Sequence, residues 1–309
     1  MDPVIVFFFF GILAGLLKCD FKMNESFSEL VTFMLLLTIG LKGGMELHQQ
    51  NLLEIVPKIS AVAMLGLLIP LLAFPFLLKI GRLKRVDAAA VAAHYGSVSV
   101  GTFAVCIAYL NSQGVAFEPY APLFVIILEV PAIIVGLLIA REHSEKSSQL
   151  FSHFKEALRS RAVTLLFGGL VIGWIIGKEA LAPYNALFVN TFSGFLALFL
   201  MDMGFVVSQQ LGEVKKHGAF ILIFGIFMPI VSGSIAMVIA NIAGLSLGGT
   251  VVVTILGASA SYIAVPAALR VSLPEANLGL SLGSSLGITF PFNVIVGIPL
   301  AYQVAQFLS

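Results

Sequence analysis

The sequence predicts an all-α membrane protein of ten transmembrane helices, arranged as two inverted five-helix repeats, and three observations carry that expectation. Hydrophobic residues make up 59% of the 309 and charged residues only 11%, with a mean hydropathy of +1.04, far from the balance of a domain dissolved in water. The apolar residues gather into ten runs of roughly the 20 residues that a helix needs to cross a bilayer core. The glycines, prolines and hydroxyl residues of the first five runs reappear in the same order in the last five.

The expected spans are 3–17, 30–47, 57–80, 86–110 and 117–140, then 162–176, 186–211, 218–240, 247–269 and 277–307. No basic residue precedes the first run and no small-residue cleavage pattern follows it, so it reads as a retained helix rather than a signal peptide. The repeats therefore occupy 1–140 and 162–309, joined by a cytoplasmic linker at 141–161. With the N-terminus outside, 14 of the 17 Lys and Arg residues fall on the cytoplasmic side, as the positive-inside rule asks. Lys58 and Lys178 face outward, and Lys42 lies near the outer end of its span, where its stem can snorkel. Both termini are then extracytoplasmic. Within the linker, the amphipathic stretch 150–158 reads as a surface helix joining the halves, with a docking segment for a regulator as the sharper alternative.

The internal match is weak at each position and ordered overall. Gly11 and Gly15 in span 1 correspond to Gly169 and Gly173 in span 6. Gly66 and Pro70 in span 3 correspond to Gly225 and Pro229 in span 8. The Gly-Ser-Val-Ser of 96–99 corresponds to the Gly-Ala-Ser-Ala-Ser of 257–261, and Pro131 before Gly136 to Pro291 before Gly297. Because each half holds an odd number of spans, the second copy must enter the membrane upside down.

Spans 4 and 9 are interrupted at mid-run by Ser97, Val98, Ser99, Gly101 and Thr102, and by Ala258, Ser259, Ala260, Ser261 and Tyr262. Non-helical backbone at that depth is tolerated only where it lines a cavity or is packed in protein. If both helices break there, two half-helix N-termini meet at one site and hold an anion on free N–H groups without Arg or Lys. Serine and glycine also serve plain helix packing and carbonyl back-bonding; their placement in both halves favours a site. Glu129, just before Val130 and Pro131, is the foremost intramembrane ionisable residue and so a candidate for cation or proton binding. Asp202 is the second, and His94 reads as a packing histidine. Ser285, Thr289 and Asn293, with Ser99 and Ser261, add hard oxygen ligands suited to Na⁺ rather than a transition metal.

A formal net charge of +1 leaves no basis for nucleic-acid binding. Cys19 and Cys106 are too far apart in sequence to suggest a disulfide framework or a metal set. No metalloprotease, P-loop or dinucleotide motif occurs, so neither an enzyme nor a cofactor is expected.

Taken together, residues 33–44 (Phe-Met-Leu-Leu-Leu-Thr-Ile-Gly-Leu-Lys-Gly-Gly), 96–102, the Glu-Val-Pro-Ala of 129–132, Leu269-Arg270 with 274–277, and Gly283-Ser284-Ser285 resemble the sodium-dependent bicarbonate transporter family over nearly the whole chain. The resemblance implies a gate of spans 1, 2, 6 and 7 and a core of the other six, moving as an elevator. It implies a homotrimer in a bacterial inner membrane that takes up bicarbonate with Na⁺ as coupling ion, inhibited in some members by a small PII-like protein. It places the anion on the two breaks. The chain departs from the family pattern at Tyr262, where an Asp is expected, and at Ala264 and Val265, and its linker is short. Two other functions are carried beside this one: a proton- or sodium-coupled carrier of another small organic anion, and a membrane sensor of the same fold that does not cycle.

Overall fold

The computed structural model describes residues 3–19, 23–47, 50, 52–140, 160–216 and 218–308; the stretch 150–158 and most of the linker lie outside the described residues. Every regular element among them is helical. In chain order they are α1 (Pro3–Leu16), α2 (Glu25–Leu47), α3 (Leu52–Pro75, continued by a π turn at Phe76–Ile80), α4 (Arg85–Gly96), α5 (Val100–Ser112), α6 (Ala121–Ala140), α7 (Arg161–Leu181), α8 (Phe192–Lys216), α9 (Gly218–Ile242), α10 (Leu247–Gly257), α11 (Ala264–Ser272) and α12 (Leu278–Leu308). Eight helical stretches among the described residues are long and apolar enough to cross a membrane, while Ile5–Leu16 and Leu247–Gly257 are shorter apolar helices. The seventh expected run starts later than the sequence suggests, at Phe192, because residues 182–188 form two short helical turns of their own. The sixth run was expected to end at residue 176, and α7 does leave helical geometry one residue on, at Gly177, whose φ of 76° suits only glycine at low cost.

Polarity is inverted relative to a protein folded in water. Phe10, Leu13, Ile175 and Ile223 are half or more exposed, whereas Ser97, Ser259, Ser284, Thr289 and Asn293 are almost wholly buried. A surface of large apolar side chains around buried hydroxyl and amide groups, most of them bonded to backbone carbonyls, suits hydrocarbon, where each unpaired polar group costs several kcal/mol.

Two seams hold one side of the molecule. Helix α1 packs along α8, and α2 along α7. At both seams glycine lets the backbones approach. A Cβ on Gly11 would collide with the Met201 carbonyl and one on Gly204 with the Phe8 carbonyl; in the other seam, one on Gly44 would strike the Leu170 carbonyl and one on Gly173 the Leu41 carbonyl. Residue numbers rise together along each pair, so both pairs are parallel. Arg161 at the start of α7 pairs with Glu29 near the start of α2 (3.1 Å), as parallel helices require.

The other side is built from two triplets, α3, α4 and α6 from the first half and α9, α10 and α12 from the second. The short helices that follow the interruptions cross over: α5 packs on α10 and the second π turn of α12, and α11 on α4 and α6. Two carboxylates tie the triplets together. Glu118, buried before α6, accepts the Ser246 N–H (2.6 Å) and hydroxyl (3.0 Å) at the start of α10. Asp87 in the first turn of α4 accepts the N–H of Asn277 (2.8 Å), the residue that caps α12.

Candidate transport site

The two interruptions meet. Helix α4 ends at Gly96, the chain runs extended through Ser97, and α5 starts at Val100 with Ser99 as its N-cap. Serine suits that position because its oxygen replaces the missing carbonyl partner of the first turn. Here Ser99 Oγ accepts both the N–H (3.0 Å) and the hydroxyl (2.8 Å) of Thr102. Helix α10 ends at Gly257, and the chain stays out of helix until Ala264. Across the gap the Ser99 N–H donates to Ser259 Oγ (2.9 Å), whose own proton goes to the Leu256 carbonyl (2.8 Å). The Ser261 N–H donates in return to the His94 carbonyl on the last turn of α4 (2.8 Å). Each interruption thus ties itself to the other half.

A small cavity of ≈ 10 Å³, room for about one water, opens beside this junction, lined by Val98, Ser99, Val100, Glu129, Ala162, Ser261, Tyr262, Ile263 and Ala264. It joins residues of both interruptions to the α6 carboxylate and to the first turn of α7. Glu129 is 1% exposed. Ser160, which caps α7, stands beside its carboxyl, and Oε2 has no hydrogen-bond partner among the described residues. Pro131 lacks an N–H, so the Ile127 carbonyl one turn earlier receives no bond from it, although α6 runs on without a break. An adjoining apolar cavity shares Val100, Ala162 and Ile263 and continues along Leu35 and Leu36 of α2 and Phe199 of α8.

Gly101 permits this packing, since a Cβ there would run into the Tyr262 hydroxyl and the Phe199 ring. Tyr262 itself lies edge-on to Phe290 at 5.4 Å between centroids. Its hydroxyl is buried close to Ser99 but at hydrogen-bonding geometry to no described residue. Small oxygen-bearing groups, one carboxylate and no basic side chain therefore border one small space. Such a set can coordinate a small ion stripped of its water.

Of the residues singled out in sequence, Val98, Ser99, Glu129, Ser261 and Tyr262 line this cavity, and Gly101 and Thr102 support its wall. Ser97, Ser259 and Ala260 are buried behind it, with Ser97 Oγ unpartnered. Two amides offered to an anion by the sequence reading, those of Ser99 and Ser261, are already bonded within the protein. The proposed cation ligands of the last span lie elsewhere. Ser285 Oγ donates to the Ser281 carbonyl (2.8 Å). Thr289 donates to the Gly225 carbonyl (2.7 Å), which leaves Tyr95 as the donor in their 2.7 Å contact. Asn293 Nδ2 donates to the Ala258 carbonyl (2.7 Å), placing both residues on another cavity under α9. The reason is that α12 does not break at Pro291; it absorbs the proline between two π turns, Ser285–Thr289 and Asn293–Gly297, which rotate these side chains onto neighbouring helices. His94 is a fully buried packing residue whose Nδ1 is bonded to the Ala90 carbonyl (2.7 Å). Asp202, in α8, is buried and engaged, and it does not line the cavity. Sequence reading missed Ala162 and Ile263, apolar residues that carry no chemical signal, and Tyr95, whose role depends on where Thr289 lands; Ala264 stands out in sequence only as a departure from the family pattern.

An apolar exterior, polar groups withdrawn to an internal junction and an enclosed site between two packed sides describe a multi-pass helical membrane transporter. The chain belongs to the Na⁺-dependent bicarbonate transporter superfamily, whose family model matches residues 3–306. That family is one of transporters and not of enzymes. A search of curated proteins finds no relative of this chain.

Proposed function

We propose that the protein is a secondary active transporter that uses an inward Na⁺ gradient to take up bicarbonate or a similar small monoanion. The family supplies the ion pair. The observation that carries the assignment of the site is the single cavity bringing Ser99 and Ser261 of the two interruptions together with Glu129. In this reading α4 with α5, and α10 with α11, each make one span, giving ten spans in two inverted repeats. The parallel pairing of α2 with α7 supports the count in the first half, because parallel partners require an even number of crossings from one to the other, which holds when α4 and α5 make one span. The α1, α2, α7 and α8 side acts as the gate, and the six spans around the cavity move against it, stiffened by the Glu118 and Asp87 ties. Extracytoplasmic termini, a homotrimer and a bacterial inner membrane complete the proposal.

The anion is held by serine hydroxyls and the remaining amides at the start of α5 and α11. Glu129 and nearby oxygens take the cation. Na⁺ offsets the Glu129 carboxylate and so lowers the cost of bringing an anion into the same space, which couples the binding of the two. The test is uptake of labelled bicarbonate into proteoliposomes across an imposed Na⁺ gradient. Accumulation that collapses when the gradient is dissipated is expected; binding without flux would favour a non-cycling sensor. A second reading, proton coupling with another organic anion, is favoured by one observation, the lone carboxylate with an unpartnered Oε2. It predicts uptake driven by a pH gradient in the absence of Na⁺.

A further inference from the structure

A second, larger cavity, of ≈ 110 Å³, lies apart from the Ser99–Ser261 site, between α2, α5 and the segment entering α6. Its α5 wall is Phe103, Ile107 and Asn111, spaced four residues apart and so on one helix face leading away from Ser99. Its α2 wall is Ile39, Lys42, Gly43 and Glu46, the continuation of the face on which Leu35 and Leu36 border the inner apolar cavity. At 1.5 Å per residue, Lys42 stands roughly 10 Å beyond Leu35 and Leu36 along α2. The two spaces are strung along one interface, and Phe103, 1% exposed, stands between them.

Lys42 is the notable feature of this space. It sits within an apolar helix, half-buried, with Nζ 5.4 Å from the centroid of the Phe192 ring. Among the described residues its ammonium makes no hydrogen bond and no ion pair. An ammonium inside a membrane helix is costly unless it reaches water, a lipid headgroup or an anion. This one borders a cavity that also holds the exposed amide of Asn111, a neutral donor. Glu46, one turn further along α2 and exposed at the same space, interacts electrostatically with Lys42 without a direct ion pair, and so weakens retention of an anion.

We propose that this cavity is a collecting site for small oxyanions, with the Lys42 ammonium and the Asn111 amide as its donors, from which the anion passes along the α2–α5 interface to Ser99 and Ser261. The assignment rests on the anion-uptake reading for its purpose, and its test is arranged to stand without it. In full-length protein carrying Cys19→Ser, with buried Cys106 left in place, Asn111→Cys is labelled in proteoliposomes by an anionic and by a cationic methanethiosulfonate. Lys42→Gln should lower the anionic-to-cationic rate ratio by about threefold or more, as expected when a unit charge is removed from a low-dielectric cleft, and Glu46→Gln should raise it. A ratio indifferent to both overturns the proposal. In transport, Lys42→Gln with native Asn111 should raise KM for bicarbonate while kcat holds, and Lys42→Arg should restore KM. A fall in kcat at unchanged KM overturns the collecting role. If the unmodified protein transports no bicarbonate, the uptake reading fails, and the labelling ratio still decides the cavity.

Discussion

In the first half the chain leaves α4 at Ser97 and is helical again at Val100, with Ser99 accepting two bonds from Thr102 as a complete cap. In the second half it leaves α10 at Ala258 and re-enters helix only at Ala264, from Ile263, whose side chain caps nothing. There Ser261 Oγ takes the Val265 N–H at 3.3 Å. The helix that follows has 13 residues in the first case and nine in the second. Weakly similar sequences thus give a short, well-capped turn on one side and a longer, more loosely capped segment on the other. In the proposed site the first interruption then serves as the firmer wall, and the second, which carries Tyr262, is held by fewer side-chain bonds.

The contrast can be broken most directly by filling the cavity from each side. Ser261→Phe and Ser99→Phe should both reduce Na⁺-driven uptake to background while the protein still elutes as a folded species from size-exclusion chromatography. Normal uptake in either variant would remove that interruption from the site. Next in size is Glu129→Gln. Close charge pairs couple by about 1.5 kcal/mol or more, so the apparent affinity for Na⁺ should fall by about tenfold or more. Unchanged Na⁺ dependence would dissociate Glu129 from the cation. Ser99→Ala sharpens the comparison at the level of stability: loss of a good N-cap costs about 1 kcal/mol and should lower the thermal midpoint in detergent. Ser261→Ala should lower it less, because its bond is longer; equal effects would mean that the caps are equivalent. Smallest is Tyr262→Phe. A buried hydroxyl without a partner costs about 1–3 kcal/mol, so this variant should be no less stable than the original, and a clear loss of stability would show that the hydroxyl is bonded.

The course of the helices was legible because the bilayer imposes a length and close helix packing imposes glycine. Gly11, Gly44 and Gly173 stand out in an apolar chain because any side chain there would meet a neighbouring carbonyl. Ser99 and Ser261 were legible as hydroxyls in the middle of apolar runs, as was Glu129 as a charge where charge is costly. What could not be read is which way a polar residue turns in a long helix. Thr289 and Asn293 look like Ser99 in sequence, and only the π turns around Pro291 decide that they bond to Gly225 and Ala258 instead. Ala162 is the opposite case, a residue with no signature brought to the cavity by the start of α7. Lys42 was visible as a charge near a helix end, but the space it borders is made by α5 and α6, which local sequence does not specify.

The glycine seams join helices from opposite halves of the chain, α1 to α8 and α2 to α7, and so neither seam can form while only the first half has left the ribosome. During synthesis α1 and α2 must wait in lipid with their glycine faces bare. The short α1 is the more precarious of the two, and its residence in the bilayer is secured only when α8 arrives. A chain halted at the linker would therefore leave two open backbone tracks facing lipid.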